Sequence, residues 1–219
     1  MPSYRSHVAL TVWPIGVLFL FGLSRSWPAL EGASAYAASA PGGWLVLGAE
    51  TLVVVVFLIA YARGWRRFSA SDEEGRGPYR TAGSVRLQKL AGGIAWGFVL
   101  AVLILHWFMT IRVGPVAISQ YELLRAFLSR PPVLGFYMLG LAALGLYLSQ
   151  GLAASFRAWG FGGGHETSRW LELACTLASV MMMLMAVNVL AHFATGRAYW
   201  TNAAPTERPA VDPSPGGAR

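Results

Sequence analysis

The 219-residue chain is 55% hydrophobic and only 12% charged, with a net charge of +7 carried almost wholly by Arg. A soluble domain carries roughly twice that charged fraction, so composition excludes an ordinary soluble domain. The Arg residues flank apolar runs, which fits anionic lipid headgroups and a membrane orientation signal and argues against nucleic acid. The single Cys175 excludes an intrachain disulfide, a protein-held iron–sulfur cluster and a zinc ribbon, and reads as a small core residue.

Five apolar stretches follow in order, at about Val8–Leu23, Trp44–Ala62, Leu90–Thr110, Val133–Phe156 and Leu171–Phe193. Each is near the ~20 residues that cross a hydrocarbon core, and backbone amides in lipid need internal partners. The predicted fold class is therefore an all-α integral membrane bundle of five transmembrane helices over residues 1–200. The first stretch has a second reading as a cleaved signal peptide, because Arg5 precedes it and Ala33-Ser34-Ala35 follows. Its length and the interfacial stop Ser24-Arg25-Ser26-Trp27-Pro28 favour a retained helix.

The connection 63–89 holds Arg63, Arg66, Arg67, Arg76, Arg80, Arg86 and Lys89 against three acids. With the N-terminus and residues 157–170, it puts ten of the 17 basic residues on one side of the membrane. The positive-inside rule then places the N-terminus in the cytoplasm and the C-terminus outside. Residues 201–219 are rich in Pro, Gly and Ala and read as a disordered tail.

Glycines recur on the third and fourth helices, among them Gly92, Gly93, Gly97, Gly135, Gly140 and Gly145, and close helix packing accounts for them. Met181, Met182, Met183 and Met185 read as adaptable packing. Polar side chains inside the membrane are costly and point to function by default. The candidates are His106, His192, Gln150, Asn188, Glu50 and Tyr147. Glu50 and His192 read as headgroup-region residues, and Asn188 as an interhelical hydrogen bond worth ~0.6 kcal/mol. His106 is deeper; a neutral imidazole there suits a metal, a quinone carbonyl or a protein acceptor.

Two runs carry a family resemblance. One is Arg86-Leu87-Gln88-Lys89-Leu90-Ala91-Gly92 leading to His106-Trp107 and Thr110. The other is Pro132-Val133-Leu134-Gly135-Phe136-Tyr137, Gly140, Tyr147, Gln150-Gly151-Leu152, Phe156, Trp159-Gly160 and Ser168-Arg169. In order and spacing they resemble the single-chain, five-helix cytochrome b membrane anchors of succinate dehydrogenase and fumarate reductase (complex II), over residues 7–193. That family holds two haem b groups with four histidines. Here the resemblance puts the outer pair at Gly22 and His106, and the inner pair near Ala60 and at Tyr147. Only His106 keeps an imidazole, with His192 as a conceivable replacement outer ligand, so the resemblance implies a haem-poor or haem-free anchor.

The resemblance also implies flavoprotein and iron–sulfur subunits docked at the cytoplasmic face of a bacterial inner membrane. The chain would supply a quinone pocket (menaquinone or ubiquinone) and have no complete active site of its own. Gln88, Lys89, Tyr147, Gln150, Ser168 and Arg169 are the candidate quinone donors near that face, and His106 the candidate haem ligand. The competing classes are a transporter or channel subunit and a stand-alone b-type cytochrome. Paired intramembrane carboxylates or a repeat would mark the first, and paired histidines the second.

Overall fold

A computed structural model describes residues 4–39, 43–69, 82–113, 117–161 and 165–200. The tail 201–219 and the middle of the basic connection, 70–81, lie outside the described residues. The described chain is all-helical: α1 (Tyr4–Ser26), a 3-10 turn (Trp27–Glu31), α2 (Ala33–Ser39), α3 (Gly43–Ser69), α4 (Ala82–Val113), α5 (Ala117–Leu128), α6 (Pro131–Ala158) and α7 (His165–Thr195). Four helices carry stretches long and apolar enough to cross a membrane: Val46–Arg63, Lys89–Arg112, Pro131–Ala158 and Glu166–Thr195. This is the architecture of a multi-pass membrane protein.

α3 and α4 overrun their apolar stretches at both ends, because a helix ends where the backbone is broken rather than where hydropathy falls. α6 opens on Pro131-Pro132, where a missing N–H costs nothing. α7 stops at Gly196, whose φ of +73° closes the last turn and lets its N–H reach the His192 carbonyl at 2.8 Å. The short helices α2 and α5 do not span; they pack on each other as a cap over one end of the bundle, α2 also on the 3-10 turn and α5 on α4, α6 and α7.

α6 is the central helix, meeting α1, α4 and α7 along its length. In lipid there is little hydrophobic drive between helices, so close backbone approach decides the packing. Gly140 is such a contact: a Cβ there would sit 2.2 Å from the Phe98 ring. Gly92 is another, with the Tyr61 hydroxyl and the Tyr147 ring against it. Gly93, Gly97 and Gly135 face open space, so close approach does not explain them. α1 is woven into the core, with Thr11, Val12 and Ile15 fully buried. Cys175 is buried on α7, with Ser179 donating to its carbonyl.

Candidate functional site

The bundle divides into two ends with different interiors. Helix α4 joins them, running from Lys89 at one end to His106 at the other.

At the His106 end, three charged or polar side chains from three helices converge. His106 Nδ1 lies 3.1 Å from Glu50 Oε2, and the Arg25 guanidinium donates to Glu50 Oε1 at 3.4 Å. All three are largely withdrawn from solvent. The next residues repeat the link: Trp107 Nε1 donates to Thr51 Oγ1 at 2.8 Å. Two consecutive rungs thus lock the register of α3 against α4. A carboxylate only accepts, so its bond to Nδ1 sets the imidazole with the proton on Nδ1 and leaves Nε2 for another partner. Arg25 offsets the charge that Glu50 would otherwise bury alone.

This cluster forms the polar end of a cavity of about 280 Å³ in the centre of the bundle. Gly22 of α1 and His106 of α4 both line it. The remaining wall is mainly aliphatic and aromatic, from α1, α3, α4, α6 and α7, with Tyr36, Leu124 and Leu128 of the cap closing over it. An apolar chamber with a few convergent polar groups is the usual form of a small-molecule site. Its chemistry suits a flat ring with polar substituents at one edge.

At the Lys89 end the interior is filled. Tyr147 is 1% exposed, and its hydroxyl lies 2.7 Å from Thr11 Oγ1. Tyr61 packs against both Trp96 and Tyr147, at ring-centroid distances of 5.8 and 6.3 Å. Its hydroxyl reaches the Lys89 carbonyl at 3.5 Å. Tyr147 is therefore a packed core residue. Gln150 and Ser168 are half-buried, Arg169 is exposed, and the side chain of Gln88 lies outside the described residues. Lys89 and Tyr147 come together through Tyr61.

His192 stands apart from His106. Its Nε2 is 3.3 Å from the Tyr121 hydroxyl on α5, and it does not line the His106 chamber. Asn188 is not an interhelical bond. It clamps the chain beyond Gly196: Oδ1 accepts from the amides of Tyr199 (2.7 Å) and Trp200 (3.1 Å), and Nδ2 donates to the Trp200 carbonyl (2.9 Å). A single buried side chain thereby satisfies three backbone groups.

Sequence reasoning missed Arg25 and Glu50 as site residues, reading one as an interfacial stop and the other as a headgroup residue. The available signal was topology, since alternating helix direction brings the end of α1, the start of α3 and the end of α4 to one end of the bundle. No protein-family model, curated protein or solved structure matches this chain.

Proposed function

We propose that this chain is the membrane anchor and quinone-binding subunit of a succinate dehydrogenase or fumarate reductase complex, haem-poor, with α1 as its fifth span. One observation carries the reading. The resemblance assigns two cofactor positions, one between Gly22 and His106 and one between Ala60 and Tyr147. Gly22 and His106 face a common chamber, whereas Tyr61, Trp96 and Tyr147 fill the second position with their own rings. A bundle that keeps one cofactor volume and closes the other is what a haem-poor relative of that family needs.

The residues present fit a haem poorly. At the filled position there is neither space nor an imidazole. In the open chamber His106 offers one imidazole, and Gly22 offers no second ligand. A quinone fits better: the Arg25–Glu50–His106 cluster supplies donors and acceptors for ring oxygens, and the apolar wall takes the ring.

His106 lies about 26 Å along α4 from Lys89, at 1.5 Å per residue. Subunits docked at the basic connection would deliver electrons first to a quinone at the Lys89 end, among Gln88, Lys89, Gln150, Ser168 and Arg169. The chamber then holds a second quinone.

Purification from native membranes in mild detergent tests the assignment. A covalently flavinylated protein and a cluster-bearing protein should co-purify, quinone should be extractable, and the reduced-minus-oxidised spectrum should lack a stoichiometric b-type α-band. Absence of the two soluble partners would overturn the anchor assignment; a stoichiometric α-band would overturn the haem-poor one. Lys89→Leu or Gln150→Leu should lower quinone reduction while sparing dye reduction by the soluble subunits.

A further inference from the structure

A second cavity, of about 340 Å³, lies beside the chamber between α4, α5 and α6. Its wall is built from apolar and aromatic side chains, including Ala101, Phe127, Pro132 and Phe136. The two cavities share Val102, Leu105 and Tyr137, so a single layer of side chains divides them. Phe136 is 47% exposed on the outer surface of α6, which opens this groove toward the hydrocarbon.

The shape of the α4–α6 contact explains the groove. The helices are pressed together where Gly140 meets Phe98. Nearer the α6 N-terminus, Gly135 has nothing within 4 Å of a Cβ position. Tyr137 stands between, edge-on to Phe98 at 5.4 Å and to Phe136 at 6.0 Å. Among the described residues its hydroxyl has no hydrogen-bond partner. A phenol in an otherwise apolar wall, without a protein partner, is suited to a ligand oxygen on the chamber side.

We propose that the two cavities form one path for a ring-headed prenyl lipid. The ring lies in the chamber at Arg25, Glu50 and His106, and the tail leaves between α4 and α6 through the groove, passing Tyr137. The occupant is the tail of the chamber ligand, rather than a free acyl chain, because the groove adjoins, across Val102, Leu105 and Tyr137, the chamber whose polar cluster can hold a headgroup. A tail also needs no hydrogen bonds, and apart from the Tyr137 hydroxyl this wall has no polar side chain. The inference rests on the chamber taking a quinone.

The test compares a tailless benzoquinone with the same ring bearing a decyl tail, by equilibrium binding to the detergent-solubilised complex. The decyl compound should bind more tightly to the unaltered protein. Ala101→Trp, which fills the groove, should weaken decyl binding about tenfold or more, since each methylene removed from water is worth about fourfold. Tailless binding should stay within about twofold. Equal affinities for the two probes, or equal losses on substitution, overturn the tail path while leaving the chamber reading intact. Failure of both probes to bind the unaltered protein overturns the chamber reading and the path with it. A diazirine at the tail end provides a measurement without substitution. Adducts on residues 101–105 and 127–137 support the path, and adducts confined to other faces overturn it.

Discussion

Glu50 and His106, separated by 56 residues, meet at 3.1 Å, and Arg25 closes on the same carboxylate from a third helix. Removing one partner of such a pair leaves a charge in a poorly solvated place. The side chains are about one-sixth to one-fifth exposed, which softens the penalty. Glu50→Leu or Arg25→Leu alone should each destabilise the solubilised protein by about 2 kcal/mol. The double variant should cost clearly less than the sum, since neither charge is then orphaned. Additive losses in thermal unfolding would show that the pair is not coupled.

Gly140 offers a steric prediction. A methyl group there would fall 2.2 Å from the Phe98 ring, inside any tolerable contact. Gly140→Ala should cost about 1–3 kcal/mol by forcing α4 and α6 apart. Phe98→Leu in the same chain should restore part of the loss, and Gly135→Ala, with nothing nearby, should be neutral or slightly stabilising. Unfolding curves of the four proteins decide it. A harmless Gly140→Ala would mean that the two helices do not approach as closely as described.

These contacts mark what the sequence could and could not reveal. Apolar run length located the long helices, because lipid imposes both their length and their helicity. Their ends were set by Pro131 and Gly196, which hydropathy does not register. α5 was missed, although Tyr121, Leu124 and Leu128 recur at helical spacing, because twelve residues are too few to read as a span. For the site, sequence placed Glu50 and His106 toward the same face, with His106 the deeper of the two. It could not show that they face each other, since this depends on the rotation of α3 against α4, which Thr51 and Trp107 help to set. Tyr147 was legible only as the residue standing where the resembled family has a histidine, and the rings of Tyr61 and Trp96 around it belong to other helices.

That filled position gives a third prediction. Under the proposed anchor assignment, an inner haem lost through its ligands alone would return with Tyr147→His and Ala60→His. The interior at that level is occupied by Tyr61 and Trp96, and Gly92 has the Tyr61 hydroxyl against it. Protein interiors at this density do not admit a macrocycle without being rebuilt. The double variant, expressed with excess haem, should show no b-type α-band above the parent protein. A stoichiometric band would mean that these aromatics move aside readily and that the position is closed by ligand chemistry instead.

Asn188 supplies the last prediction. It is 1% exposed and makes three hydrogen bonds to Tyr199 and Trp200, while Thr195 Oγ1 holds the Arg197 backbone, so these two side chains tie the chain after Gly196 to α7. The two aromatic side chains add little grip, since Tyr199 is 79% and Trp200 52% exposed. Asn188→Leu removes all three bonds to Tyr199 and Trp200 at once and should loosen the segment beyond Arg197 at a cost of about 1–3 kcal/mol. Arg197 is exposed, so trypsin cleavage after it reports the released state. Where opening is fast, cleavage follows the open population, and each 1.4 kcal/mol raises it about tenfold. Asn188→Leu should therefore speed cleavage about tenfold or more. Asn188→Asp keeps an acceptor for the two amides but loses the donor to the Trp200 carbonyl, and should fall between the two. A cleavage rate unchanged by Asn188→Leu would show that the segment is retained by something other than this amide.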